Sequence, residues 1–165
     1  MAETYPDALR SVNTKGYLPL HCACSKGASI EVIKYLVEAY PDALRSVNTN
    51  GNLPLHCACS KGASVEVIKF LAETYPIALK SVMPNGKLPL HCASALDACL
   101  EVIKCLVEAY PDALKSVDSD GNLPLHFARM HDASLEVIKF LVEACPDALK
   151  ICDQNQSLPD HWMCH

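Results

Sequence analysis

Several features of membrane and nucleic-acid-binding proteins are missing from this chain of 165 residues. No apolar run approaches the length of about 18 residues that a helix needs to cross a bilayer. Lysine and arginine total 14 against 19 aspartates and glutamates, a net charge of −5 that argues against a general binder of nucleic acid or anionic membrane. The first residues have neither the basic patch nor the apolar core of a signal peptide. We therefore expect a cytoplasmic or nuclear protein.

The sequence patterns of common catalytic sites are also absent. There is no phosphate-binding glycine loop and no nucleophile elbow. No other arrangement of residues supports catalysis. We therefore expect no enzymatic activity, no catalytic residues, no cofactor and no small-molecule substrate.

One short pattern recurs along the chain at a constant interval. Leu-Pro-Leu-His starts at Leu18, Leu53, Leu88 and Leu123, with 35 residues from each copy to the next. A fifth, altered copy reads Leu-Pro-Asp-His and starts at Leu158. A period of about 20–50 residues is typical of a solenoid, in which each unit packs mainly on its neighbours.

The glycine before each copy divides the chain into similar units. We place full repeats at 16–50, 51–85, 86–120 and 121–155, and partial repeats at 1–15 and 156–165. Together they form a single array over 1–165. The last partial repeat is either a cap or the edge of a longer array, and both alternatives stay open.

Each unit is predicted to contain a turn, two helices and an extended return. In the second unit, Gly51 supplies a turn with positive φ, and Pro54 suits the first position of a helix, where its missing N–H is not needed. Gly62 should stop this helix in the left-handed conformation. Asp97 and Asp132 take that position in later units, and Asp tolerates the conformation better than most residues.

The second helix of the unit has its own boundary signals. Ser64 is expected to cap it, with Glu66 in the first turn. Val67, Ile68 and Leu71 follow a helical step. Pro76 should end this helix, and residues 77–82 are then expected to run extended to the next turn.

These units resemble ankyrin repeats. The family pattern is a glycine-containing turn, then Thr-Pro-Leu-His-x-Ala, a helix stop, and a second helix rich in valine and leucine. The matching residues of the second unit are Gly51, Pro54, Leu55, His56, Ala58, Gly62, Val67, Ile68 and Leu71. The resemblance implies an all-α solenoid of helix-turn-helix repeats joined by β-turn or hairpin loops.

Two departures from the family pattern carry structural predictions. The period is 35 rather than the usual 33 or so. The residue before proline is Leu18, Leu53, Leu88 or Leu123 instead of threonine, so the hydroxyl that normally caps the first helix is absent. We expect these leucines to be buried, against the neighbouring unit.

The repeated histidines and cysteines look like metal ligands but are predicted to be structural. Equivalent positions in adjacent repeats lie about 10 Å apart, too far for one metal or for a disulfide. The two cysteines of each His-Cys-Ala-Cys string point in different directions on a helix. The resemblance implies that the histidines hydrogen-bond backbone and hold the loops to the helices. We therefore predict no metal site and expect reduced cysteines packed in the core.

The resemblance also implies where a partner protein binds, on a concave face made of turn tips and first helices. The positions that vary between units there are Lys15, Tyr17, Lys26, Asn50, Asn52, Lys61, Asn85, Lys87, Leu96, Asp120, Asn122, Met130 and His131. The lysines lie toward the N-terminal half and the aspartates toward the C-terminal half. We predict a polarised interaction face with Tyr17, Leu96 and Met130 as apolar anchors; the alternative is an ordinary solvated surface.

Three functions remain open from the sequence. The first is a non-catalytic protein-interaction module that binds neither nucleic acid nor membrane. The second is a structural segment of a longer ankyrin-repeat protein. A metal-binding or enzymatic role is a weaker third.

Overall fold

A computed structural model describes residues 6–96 and 98–151. Within these residues the regular structure is entirely helical. The α-helices are α1 (Pro6–Arg10), α2 (Pro19–Ser25), α3 (Ile30–Ala39), α4 (Pro54–Cys59), α5 (Val65–Thr74), α6 (Pro89–Ser94), α7 (Leu100–Ala109), α8 (Pro124–Met130) and α9 (Leu135–Ala144). Short 3₁₀ helices span Pro41–Arg45, Pro76–Lys80, Pro111–Lys115 and Pro146–Lys150.

The helices form two layers. The first helices of successive units, α2, α4, α6 and α8, pack on one another, and so do the second helices, α3, α5, α7 and α9. Each first helix also packs on the second helix of its own unit. The buried side chains of all units join into one continuous core. This arrangement confirms the predicted solenoid, because each unit buries its apolar face only by stacking on the next.

Each first helix begins at the proline of Leu-Pro-Leu-His, as predicted. The leucine before that proline is buried in all four units, which confirms that it packs in the core instead of capping the helix through a hydroxyl. In place of that cap, the histidine ring accepts a hydrogen bond from the leucine N–H, at 3.3 Å for Leu53 and His56. The start of the helix is therefore held by burial and by the histidine.

The predicted left-handed helix stops are present where the structure describes them. Gly62 has a φ of 67° and Asp132 a φ of 54°. Asp97 lies outside the described residues, as do the altered repeat copy at Leu158 and the whole of 156–165. Ser64 caps α5, since its hydroxyl accepts a hydrogen bond from the N–H of Val67 at 3.4 Å.

The extended return predicted after Pro76 is wrong. Residues Pro76–Lys80 form a 3₁₀ helix, and the chain becomes extended only at Ser81. Pro76 presets a helical φ, the N–H of Ala78 donates to the carbonyl of Tyr75 at 3.0 Å, and the turn buries Ala78 and Leu79. The same helix recurs after α3, α7 and α9, so it belongs to the repeat.

Candidate functional site

The repeated histidines tie the start of the first helix to more distant backbone. The ring of His56 is fully buried, and its Nδ1 accepts from Leu53 while its Nε2 lies 3.0 Å from the carbonyl oxygen of Ser81, in the same unit. His21 accepts from Leu18 in the same way, but its Nε2 lies 3.1 Å from the carbonyl oxygen of Asn52, in the next unit. Because Nδ1 accepts, the proton must be on Nε2, which donates to the carbonyl. Both ring nitrogens are therefore engaged with backbone, as the resemblance implied.

Burial keeps these rings neutral. Desolvation lowers the pKa of His56 to about 4, although its hydrogen bonds to backbone carbonyls act in the opposite direction. The pKa of His21 and of His91 is lowered for the same main reason. A neutral imidazole with a hydrogen bond at each ring nitrogen has no lone pair left for a metal or a proton transfer. These histidines are therefore part of the scaffold.

Most cysteines of the His-Cys-Ala-Cys strings lie in the core, as expected, but Cys22 is half-buried, and outside the strings Cys99 is exposed. Cys24, Cys57 and Cys59 are buried, and desolvation raises the pKa of each thiol. The tip of a unit is the turn that precedes its first helix, and its first residues lie just before the repeat boundary. Cys57 faces the tip of its unit, where the Asn48 amide nitrogen lies 3.8 Å from its sulfur. Buried thiols with raised pKa values are poor nucleophiles, since the thiolate is the reactive form.

The turn tips are built by side chains that fold back on their own backbone. The Asn48 side-chain oxygen accepts from the N–H groups of Asn50 and Asn52 at 2.9 and 3.0 Å. Asp118 does the same in the fourth unit. Such internal bonds hold the tips in one conformation before any partner arrives.

Neighbouring tips are also tied together, with one exception. Thr49 donates to the carbonyl of Lys15 through both its N–H and its hydroxyl, and the N–H of Ser119 donates to the carbonyl of Asn85. The third unit has Pro84 at this position, and proline has no N–H to donate. Its ring instead packs against Gly51, in the space that a Cβ at that position would need.

The predicted partner-binding residues fall into three rows that run across the units. The tip row, at the turns, is fully exposed. The helix-end row, just beyond the first helices, is also exposed, with Met130 beside it. The helix-start row, two residues before each proline, is half-buried except for the buried Asn122. The tip row is Lys15, Asn50, Asn85 and Asp120; the helix-end row is Lys26, Lys61, Leu96 and His131; the helix-start row is Tyr17, Asn52, Lys87 and Asn122.

Members of the helix-start row reach toward the next unit. Tyr17 lies beside Cys57, and burial is the main cause that raises the pKa of its hydroxyl. The Lys87 ammonium lies 4.2 Å from the centre of the Phe127 ring. Asn122 is only 9% exposed, so it offers little surface to a partner.

Phe127 is a buried support of this face that the sequence reasoning missed, since the ring is only 4% exposed. It occupies the position of Cys22, Cys57 and Cys92 in the earlier units. Besides Lys87, it contacts the ring of His131, which stacks at 6.3 Å with an interplanar angle of 6°. The change from cysteine to phenylalanine at a repeated position was the sequence feature that could have identified it.

Charge is distributed unevenly over the rows. The stretches 13–28 and 48–63 of the first two units contain three lysines and no acidic residue. In the fourth unit the corresponding stretch, 118–133, contains Asp118, Asp120 and Asp132 together with Arg129. A polarised interaction face stays a prediction.

The described ranges contain neither a metal-ligand cluster nor a membrane-spanning helix. Residues 6–96 and 98–151 contain no group of three or more histidine, cysteine, aspartate or glutamate side chains that could hold a metal ion. In the same ranges, no helix is long and apolar enough to cross a membrane.

The fold and the rows define a helical repeat protein with a recurring scaffold and a variable face. A family model for ankyrin repeats in three copies matches residues 5–80, and a second ankyrin-repeat model matches residues 86–142. The chain belongs to the ankyrin repeat family. None of the curated proteins matches it significantly. Ankyrin repeats are generally non-enzymatic modules that bind other proteins.

Proposed function

We propose that this protein is a non-catalytic interaction module that binds a partner protein on a concave face made of the turn tips and first helices. The contact residues are those of the three rows together with Met130, apart from the buried Asn122. The whole chain acts as one array with the repeat boundaries given above. Its setting is cytoplasmic or nuclear.

The observation that carries this proposal is the contrast between the scaffold and the face. The Leu-Pro-Leu-His residues are identical in four units and are committed to the core and to the backbone. The tip and helix-end rows change from unit to unit and are exposed on tips that are already ordered. A surface that varies on a constant, preordered support is suited to recognition, because little entropy is lost when it binds.

A steric block of the face tests the function without changing its charge. Asn50→Trp with Asn85→Trp places two large neutral side chains on exposed tips. The matched control, Ala39→Trp with Ala109→Trp, places them at exposed ends of α3 and α7. Wild-type protein should capture a partner from native extract, the tip variant should lose it, and the control should keep it. Retention by the tip variant would contradict binding at this face.

The second candidate is a structural segment of a longer ankyrin-repeat protein. An apolar side chain of the first complete unit favours it, because Leu36 is only half-buried whereas the equivalent Leu71, Leu106 and Leu141 are each 1% exposed. Analytical ultracentrifugation distinguishes the two candidates. A stable monomer favours the independent module, and concentration-dependent association favours the segment.

A further inference from the structure

We propose that the face binds an extended acidic segment of the partner, whose acidic side chains are spaced three residues apart and are followed by an apolar residue. This inference rests on the proposed function and specifies the chemistry of the partner. It is carried by the charge of the face, by the repeat spacing and by the change of character along the helix-end row.

The face of the first three units is cationic although the whole chain is acidic. Lys15, Lys26 and Lys61 are exposed there, and Lys87 is half-buried. The ion pairs found among the described residues join Arg45 to Asp42, Lys104 to Glu101 and Lys150 to Asp147.

None of these pairs involves a lysine of the face, since all of them lie on the second helices or the 3₁₀ helices. The stretches around Lys15, Lys26 and Lys61 contain no acidic residue to neutralise them. A binding segment must supply the opposite charge, and complementary charges both speed association and select the partner.

The repeat spacing sets the spacing of the partner's charges. Lys26 and Lys61 occupy equivalent positions just beyond α2 and α4, and packed helices lie about 10 Å apart. A peptide in the extended polyproline II conformation advances about 3.1 Å per residue with three residues per turn, so its side chains at i, i+3 and i+6 lie on one face, about 9 Å apart. Two acidic side chains at positions i and i+3 therefore match the two lysines.

The helix-end row changes character after the second unit. Leu96 follows Lys61 in the row and is 39% exposed, and Met130 in the fourth unit is 54% exposed. An apolar residue at i+6 of the partner would face Leu96. Asp120 and Asp132 in the fourth unit repel the acidic end of the segment, so they set its direction across the array.

A nucleic acid strand fits the face less well than an acidic peptide. Its phosphates are evenly spaced along the whole strand, whereas the lysines of the face end at Lys87, and Asp120 and Asp132 follow in the fourth unit. The net charge of −5 also opposes a polyanion of that length.

A random twelve-residue peptide library, displayed and selected on the full chain, tests the proposal. The selected peptides are expected to be enriched in aspartate or glutamate at i and i+3, with an apolar residue at i+6. Selection on Lys26→Glu with Lys61→Glu should lose this enrichment. The charge-matched control, Lys69→Glu with Lys139→Glu on exposed positions of α5 and α9, should keep it.

Binding of a selected peptide, measured by fluorescence anisotropy, gives the second readout. The dissociation constant should rise at least tenfold in the Lys26→Glu, Lys61→Glu variant, and severalfold between about 0.05 and 0.5 M salt. A single-stranded oligonucleotide should not compete. Circular dichroism melting checks that both variants fold like the wild type.

Three results would overturn the proposal: no enrichment of acidic residues, enrichment that survives on Lys26→Glu with Lys61→Glu, or competition by the oligonucleotide. Failure of this proposal can be distinguished from failure of the proposed function. If the tip variant loses the captured partner while charge reversal has no effect, the face binds proteins but not through acidic segments. If wild-type protein captures nothing, the interaction function itself fails.

Discussion

The second and fourth repeats share the leucines and the histidine of their core but differ at the positions that follow, in the interior as well as on the surface. Leu55 and Leu125 are each 2% exposed, and both follow a proline that starts a helix. Beyond the shared histidine, the second unit reads Cys-Ala-Cys-Ser-Lys and the fourth Phe-Ala-Arg-Met-His. In both units the first helix packs on the first helix of the preceding unit and on the second helix of its own unit. This difference shows that the shared core residues determine how the repeats stack. Residues at neighbouring positions can differ, and change the surface, without changing the fold.

The largest expected effect tests whether the two cores are equivalent. Leu55→Ala and Leu125→Ala should each lower the free energy of unfolding by about 2–5 kcal/mol, because each removes a buried side chain and leaves a cavity. Urea denaturation measures both losses. Val82→Ala, at a position 59% exposed, should change stability by less than about 0.5 kcal/mol. A loss as small as that for Leu55→Ala would show that Leu-Pro-Leu-His is not core.

The pH dependence of the free energy of unfolding reports on the buried histidines of the scaffold. The pKa of His56 is about 4 in the folded protein and about 6.5 when unfolded, so between these values the unfolded chain binds more protons. Its contribution is therefore complete above pH 6.5 and declines as the pH falls toward 4, by about 2 kcal/mol at pH 5.

His56→Gln tests this assignment. The variant should be less stable at pH 7.5, because it loses the paired hydrogen bonds to Leu53 and Ser81. It should also lose less stability than the wild type between pH 7.5 and 5, measured by urea denaturation at both values. If the variant and the wild type lost the same stability between pH 7.5 and 5, His56 would not change its pKa on unfolding.

The residues that stop the first helix, Gly62 in the second unit and Asp132 in the fourth, can be exchanged. Gly62→Asp copies the fourth unit into the second and should cost about 1 kcal/mol, since a side chain must adopt positive φ. A Cβ at Gly62 meets no atom within 4 Å, so no clash adds to this cost. The reverse change, Asp132→Gly, should stabilise by about 0.5 kcal/mol in thermal melts. Destabilisation by Asp132→Gly would reveal a role for that carboxylate.

The smallest expected effect concerns the aromatic residue specific to the fourth unit. Lys87→Met removes the ammonium from above Phe127 but keeps most of the apolar stem, and should cost about 0.5–1 kcal/mol. Lys61→Met, at an exposed position of the helix-end row, should leave stability unchanged. Equal melting temperatures for the two variants would show that the contact with Phe127 contributes nothing.

Much of the scaffold followed from local rules. Pro54 starting a helix, Gly62 and Asp132 with positive φ, and Ser64 capping α5 each depend on a few neighbouring residues. The helix after Pro76 was missed because its stability comes from the burial of Ala78 and Leu79 against other elements, which a short polar-apolar pattern does not reveal.

The interaction face was only partly predictable for the same reason. Repeat comparison located the exposed tips and helix ends, because equivalent positions share an environment. It did not show that Asn122 is buried or that Lys87 and His131 meet at Phe127, since these contacts join residues from different units or depend on how the units stack.

The spacing and identity of residues within one repeat were enough to establish its two α-helices, the signals that start and stop them, and the repeated core. Those features arise from backbone preferences and hydrophobic periodicity, which act over a few residues. The stacking of units decided which face residues remain accessible, which histidine nitrogen bonds to which carbonyl, and where the ties between tips stop at Pro84. These outcomes depend on atoms brought together from positions about 25–40 residues apart, so local sequence preferences do not determine them.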